Sequence, residues 1–195
     1  PPPSARPLRG LVRCVRCVYG HFADAAILVG VLRGWTQLNV ERDPEQAVAI
    51  ANTFFEVMDA TVTSESGEIL KFMGDAVLAI FPASAGQQDA VARALRAAQA
   101  ASSHQTDTLR FGIGLNVGEV LYGNVGSEKR LDFTVMGPAV NLAARIESLC
   151  AQTECPILMS HAAANLVPRT RQVGTFSLKG LPSGEAVYAP SPMPE

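Results

Sequence analysis

The sequence has few of the features that mark specialised classes of protein. Its longest apolar run, "AAILVGVL" from Ala25 to Leu32, is far too short to span a bilayer, so no membrane segment is expected within this chain. Charge of neither sign prevails: the net value of −2 gives no reason to expect nucleic acid or an acidic membrane surface as a partner. No charged segment followed by an apolar stretch opens the chain, so a cytoplasmic setting is the expectation rather than secretion. Cysteine is sparse as well. Cys14 and Cys17 form a C-x-x-C with His21 nearby, while Cys150 and Cys155 lie far off at a different spacing. A zinc site would require all of these to converge, and four thiols in a reducing compartment is the simpler reading.

What is present is an ordinary globular composition. With 195 residues, 48% hydrophobic and 17% charged, the chain can bury a core in one domain with a short extension. The Pro-rich opening "PPPSARP" reads as a linker or a cut end, with room for the natural protein to extend upstream. Apolar residues at 8, 11, 12, 15, 18, 19 and 22 follow helical spacing, with Arg9, Arg13 and Arg16 between them. Residues 1–24 therefore read as a linker or arm, either the end of a signalling helix or a loosely packed segment. Residues 25–190 read as the domain, and 191–195 as a tail.

Within that domain, Ala25 to Leu32 is a buried strand. Pro44 opens a helix to about Val62, with Ala51, Phe54, Phe55, Met58 and Val62 on one face. "GEILKFMGDAVLAIF" is two strands hinged at Gly74-Asp75, and a second helix covers Gln87 to Ser102. "RFGIGLNVGEVLYGNVG" reads as a strand, a Gly-containing turn and a returning strand, and "KRLDFTVMG" as one more. Pro138 starts a helix to about Leu149, and short strands near 156–159, 173–178 and 186–189 close the chain. The order is β-α-β-β-α-β with C-terminal strand and helix additions, an α+β fold with a ferredoxin-like core.

Taken singly, the polar motifs are modest. Asp75 suits a turn, Lys71 suits a wet strand edge, and Asn141 and Arg145 sit at i and i+4 on one helix face. The glycine-rich "GLNVGEVLYGNVGS" is no phosphate-binding P-loop. Together they say more. "LRGWT", "EILKFMGDAVLAIF", "IGLNVGEVLYGNVGS", "LDFTVMGPAVNLAARIE" and "FSLKGLP" occur in the order and spacing of the class III adenylate and guanylate cyclase catalytic domain, which the chain resembles from about Ala25 to Pro190.

The resemblance implies a nucleotide cyclase fold and a head-to-tail dimer with two composite sites. It implies Mg²⁺ or Mn²⁺ in a two-metal centre, with Asp75 as the second metal carboxylate. It assigns Lys71 and Thr134 to reading the purine, Asn141 to positioning the ribose, and Arg145 to stabilising the α-phosphate in the transition state. The segment from Gly123 to Gly137 would reach across the subunit boundary, and its polar "GSEKRLDF" suggests a modest monomer–dimer affinity. Hard oxygen ligands suit such metals, and a planar guanidinium suits a phosphorus centre gaining equatorial charge. Lysine carries only donors, which match adenine N1 but face the N1 hydrogen of guanine, and the Thr134 hydroxyl can accept from the adenine 6-amino group. ATP is the expected nucleotide.

One residue breaks the pattern. Val31 falls where the resemblance calls for the first metal aspartate, and valine ligates nothing, leaving Asp75 and whatever the backbone of Leu32 offers. Asp24 lies seven residues upstream, roughly 23 Å along a strand, too far to substitute. Three readings follow: an adenylate cyclase of reduced rate; a regulatory partner completing a site with another cyclase chain; or a degenerate module that binds nucleotide or dimerises. A homodimer and a heterodimer are both compatible with the residues, and an upstream sensor domain would fit either.

Overall fold

The computed structural model describes residues 12–14, 18–35, 37, 40, 43–127, 130–180 and 183–191, and the side chains at 12–14, 18, 19, 125–127 and 130–132 lie outside that description. Strand alternation organises everything else. Along β2 (Val18–Leu32), Ala26, Leu28 and Leu32 enter one apolar cluster while Ala25, Ile27 and Val29 enter another, with Val31 packed against the second. The strand is therefore buried on both faces.

The first face is covered by two helices, α1 (Pro44–Ser64) and α2 (Gln87–Ser102). Pro44 sits in the first turn of α1, where its missing N–H costs nothing. Ala47, Ala51, Phe54, Met58 and Val62 then recur every three or four residues and are buried. Helix α2 buries an almost pure alanine stripe, which brings it close to the sheet. Between the helices, β3 (Glu68–Met73) and β4 (Ala76–Pro82) form the hairpin turned at Gly74-Asp75; Gly74 has a φ of 64°, a conformation that favours glycine.

The second face is covered by α3 (Pro138–Glu147), while β5 (Phe111–Ser127) lies beside β2 in the sheet and β6 (Arg130–Met136) pairs with β5. The sheet has nine strands in the order β3-β4-β2-β5-β7-β9-β8, with β1 (Val12–Cys14) paired to β2 and β6 paired to β5. The short helices α4 (Cys150–Thr153) and α5 (His161–Ala164) flank β7 (Ile157–Ser160), and β8 (Thr170–Phe176) and β9 (Glu185–Pro190) complete the edge. The β2-α1-β3-β4-α2-β5 order is the expected ferredoxin-like core, antiparallel throughout its four strands.

Two local expectations are corrected. Val12–Cys14 and Val18–Phe22 are antiparallel strands rather than helix, because β2 runs on past the domain core and pairs with the far end of β5. Apolar residues at helical spacing over so short a stretch also fit a two-sided strand. The strand–turn–strand expected within 111–127 is one continuous strand of 17 residues, and its glycines serve close packing instead of a turn. Cys14 and Cys17 lie outside the described side chains, while Cys150 and Cys155 are free and buried.

Gly112 and Gly114 let α3 lie directly on β5. A Cβ on Gly114 would collide with the Ala143 carbonyl oxygen and come within 2.6 Å of the Glu147 amide nitrogen. Backbone contacts cannot yield as a flexible side-chain tip can. Gly114→Ala is expected to cost about 3 kcal/mol, the overpacking range, read as a lower midpoint in urea denaturation with an unchanged slope.

Candidate active site

Helix α3 carries two of the residues singled out by sequence. Its first turn is anchored from below by Asn116, only 2% exposed on β5, whose Nδ2 donates to the Ala139 carbonyl at 2.9 Å. Ser160 Oγ donates to Asn116 Oδ1 at 2.7 Å and accepts from the Ala163 amide at 3.1 Å. This closed chain of bonds satisfies a buried amide and fixes α3 against β5 and α5.

Above that anchor lies a cavity of about 540 Å³, lined by Asn141, Leu142 and Arg145 from α3, with Asn116, His161, Gly180 and Glu185 among its other walls. Asn141 is exposed and Arg145 half-buried, one helical turn apart as their spacing requires. A Cβ on Gly180 would lie 3.4 Å from the Arg145 guanidinium, so the β8–β9 loop passes directly beneath the charge. No carboxylate lies within ion-pair distance of Arg145 among the described residues. Lys179, exposed and next to Gly180 in the chain, likewise forms no ion pair among the described residues.

Lys71 and Thr134 lie on strands that pack together, β3 and β6. Lys71 is half-buried, and a bulge between Ile69 and Lys71 turns it toward the face that holds Leu78. Thr134 is 5% exposed, and its Oγ1 is buried with no hydrogen-bond partner among the described residues. An orphaned hydroxyl is costly, and in a native chain it asks for a reason.

The remaining candidates gather at one end of the sheet. Val31 is half-buried and pairs with Ala76 on one side and Gly112 on the other. Asp75 sits in the neighbouring turn, its carbonyl accepting from the Leu32 amide at 2.9 Å, so the Leu32 N–H is already engaged. Asp24 belongs seven registers away, opposite Glu119, and is exposed there. Sequence reasoning missed a second carboxylate at this end. Glu147 places an oxygen 2.5 Å from where a Cβ on Gly112 would stand, beside Val31. Burial pushes its carboxyl up to about 7, with Arg33 opposing the shift and Asp75 adding to it. Arg33 donates to the Cys155 carbonyl at 3.3 Å while its Nε is buried without a partner among the described residues. The glycines of "FGIGLN", two apart on one strand face, were the available sign that a helix lay close enough for this.

This end does not fit a two-metal centre. Among the described residues no group of three or more His, Cys, Asp or Glu side chains is placed to hold a metal ion. Valine supplies no donor, and the Glu147 carboxyl shares its space with the Arg33 guanidinium.

The family follows from the whole chain. The profile described as "Adenylate and Guanylate cyclase catalytic domain" matches residues 18–189, and the chain belongs to that family. It is 29% identical over 175 residues to the terminal-differentiation-specific adenylate cyclase of Dictyostelium discoideum, covering 80% of this chain and 8% of that one. The adenylyl cyclase CyaB from P. aeruginosa superposes with a TM-score of 0.78 at 26% identity, covering 88% of this chain and 95% of CyaB. The guanylyl cyclase Cya2 gives 0.70 at 33% identity, covering 87% and 92%. The chain spans between 8% and 32% of the length of the curated relatives it matches, with 32% for a Mycobacterium tuberculosis protein 33% identical to it.

Glu147 makes stability depend on pH. Its carboxyl rises from 4.5 to about 7 on folding, so in that window the folded chain holds more protons than the unfolded chain. Stability therefore falls as pH rises from about 4.5 to about 7. Glu147→Gln is expected to be more stable than the parent at pH 8 by about 2 kcal/mol, and to lose that advantage at pH 4.5, measured by urea denaturation at both values.

Proposed function

We propose that this domain binds ATP and serves its conversion to 3′,5′-cyclic AMP and pyrophosphate in intracellular signalling, working as one member of a dimer at a rate held down by Val31. The observation that carries the reading is the cavity in which Asn141 and Arg145, which has no ion pair among the described residues, stand together. In the reaction the ribose 3′-hydroxyl gives up its proton, its oxygen bonds to the α-phosphorus, and the bond to the β-phosphate's bridging oxygen breaks to release pyrophosphate. Arg145 meets the equatorial charge that grows on the α-phosphate, which lowers the barrier because the charge is larger there than in the ground state. Asn141 fixes the sugar for in-line attack, and Lys179 steadies the departing phosphates.

The base readers support adenine. Lys71 donates to N1, and the Thr134 hydroxyl finds in the 6-amino group the partner it lacks among the described residues. The hydroxyl is closed to solvent in the single chain, so reading the base requires β6 to yield slightly against β3.

Mg²⁺ or Mn²⁺ would supply charge neutralisation and activation of the 3′-hydroxyl in this chemistry. The donor set around Asp75 is incomplete for that purpose, which favours a second reading beside the first: a partner in a heterodimer that lends Lys71, Thr134, Asn141 and Arg145 to a site whose metal carboxylates belong to another cyclase chain. Asp75 and Val31 do not line the cavity that holds Asn141 and Arg145, which suits sites composed across two chains. A cytoplasmic setting follows from the substrate, and an upstream sensor is consistent with the greater length of the curated relatives. Among the described residues no helix is long and apolar enough to cross a membrane.

Two experiments test this. Lys71→Glu should erode the preference for ATP over GTP in competition against a fluorescent ATP analogue; equal affinities in the parent chain would end the base-reading assignment. Val31→Asp should raise cyclic AMP formation from Mn²⁺-ATP by roughly 10²–10⁴-fold, the several kcal/mol that a restored metal carboxylate contributes. The heterodimer reading predicts activity when the unaltered chain is mixed with a homologue that keeps both metal aspartates but lacks the helix arginine. Silence in both arms would leave a nucleotide-binding or dimerising module.

A further inference from the structure

Tyr122 lies on β5, opposite Val135 of β6 and one residue from the Gly123–Thr134 pair. Its hydroxyl donates to Glu68 Oε2 on β3 at 2.6 Å, a short bond between residues 54 apart in sequence. Its ring is held edge-on by Phe133, at 4.7 Å between centroids, and by His21, at 5.6 Å. Phe133 directly precedes Thr134. Glu68 stands three residues before Lys71, a separation that strict alternation would put on opposite faces. The bulge between Ile69 and Lys71 cancels this, so Glu68 opposite Ile80 and Lys71 opposite Leu78 share the face toward β6. The bond thus ties β3, which bears Lys71, to β5, and β5 carries β6 and Thr134 with it through the Tyr122–Val135 and Gly123–Thr134 pairs.

We infer that Tyr122 and Glu68 form a clamp that sets the spacing between Lys71 and Thr134, and that these two positioning residues thereby determine the choice between adenine and guanine. The inference rests on the base-reading roles proposed above. Discrimination by hydrogen bonds is sensitive to where donor and acceptor stand, and a pair on separate strands keeps its spacing only if the strands do. Burial and the Glu68 carboxylate hold the Tyr122 hydroxyl up to about 12, so it remains a donor throughout the range in which the domain can be assayed.

The test uses the full chain, with ATP and GTP competing against a fluorescent ATP analogue and thermal unfolding followed in parallel. Tyr122→Phe keeps the ring and removes the bond; Glu68→Ala removes it from the other strand; Glu68→Gln keeps an acceptor. Tyr122→Phe and Glu68→Ala should each weaken ATP by about tenfold and GTP by less than about twofold, while Glu68→Gln retains most of the discrimination. A parent-like ATP/GTP ratio in Tyr122→Phe and Glu68→Ala, or equal weakening of both nucleotides, would overturn the clamp. Lys71→Glu, run beside them, separates the failures. If it erodes the ratio while the clamp variants do not, the clamp alone is wrong. If it leaves the ratio unchanged, the base-reading assignment falls and takes the clamp with it.

Discussion

The close seating of α3 on β5 governs the functional half of this domain. Gly112 and Gly114, on the same face of one strand, remove the two Cβ atoms that would hold the helix away. Once the helix backbone rests on the strand backbone, the directions of its side chains are fixed by helical geometry. Arg145 turns toward the cavity above β9 and α5, while Glu147 turns toward the end of β2. Asn116 then pins the first turn from beneath, so the helix is held by shape along its length and by hydrogen bonds at its start.

That seating divides the domain by function. One face of the sheet, under α1 and α2, is filled by Phe54, Met58, Phe81, Phe111 and a run of alanines, and carries no candidate site residue. The other face holds the Lys71 and Val31 positions, and α3 stands over it. Asp75 lies at the sheet end and Arg145 in the cavity beyond the helix. A nucleotide touching both kinds of group fits more naturally between two chains than within one, which is the physical content of the proposed dimer.

Periodicity made most of this architecture legible. The faces of α1 and α2, the Gly74-Asp75 hairpin and the βαββαβ order follow from patterns of 2 and 3.6 residues, which depend only on local geometry. The errors came where a tertiary requirement overrode a local sign. Helical spacing before Phe22 gave way to pairing with the far end of β5, and the glycines of β5 answered to a helix rather than to a turn. The site was legible where residue type carries the chemistry, as with Asp75, Asn141 and Arg145. Asn116, Glu147 and the Tyr122–Glu68 bond were not, because each acts through a partner 23 to 54 residues away or across a strand that sequence does not place.

Val31 looks different in the fold than it does in the motif. As a missing ligand it is a loss. As a side chain it packs against Ile27, Val29, Leu78 and Ala143, in an apolar cluster that extends to the sheet end. An acid there would join two carboxyls, Asp75 and Glu147, with Arg33 as the cation acting on Glu147. Like charges so placed destabilise one another unless a cation is bound, and burial sharpens the penalty. Valine avoids that repulsion and adds apolar contact, so the fold favours it at the position where the proposed metal chemistry would call for an acid. Nothing comparable relieves the other half, where Arg145 remains unpaired among the described residues and Thr134 keeps a buried hydroxyl without a partner. Both are costs to the isolated fold, and both would be met by the nucleotide proposed above. Arg33 Nε, buried without a partner among the described residues at the other end of the sheet, shows that such costs are not peculiar to the proposed nucleotide groups. They support a binding role only together with the cavity that Arg145 lines.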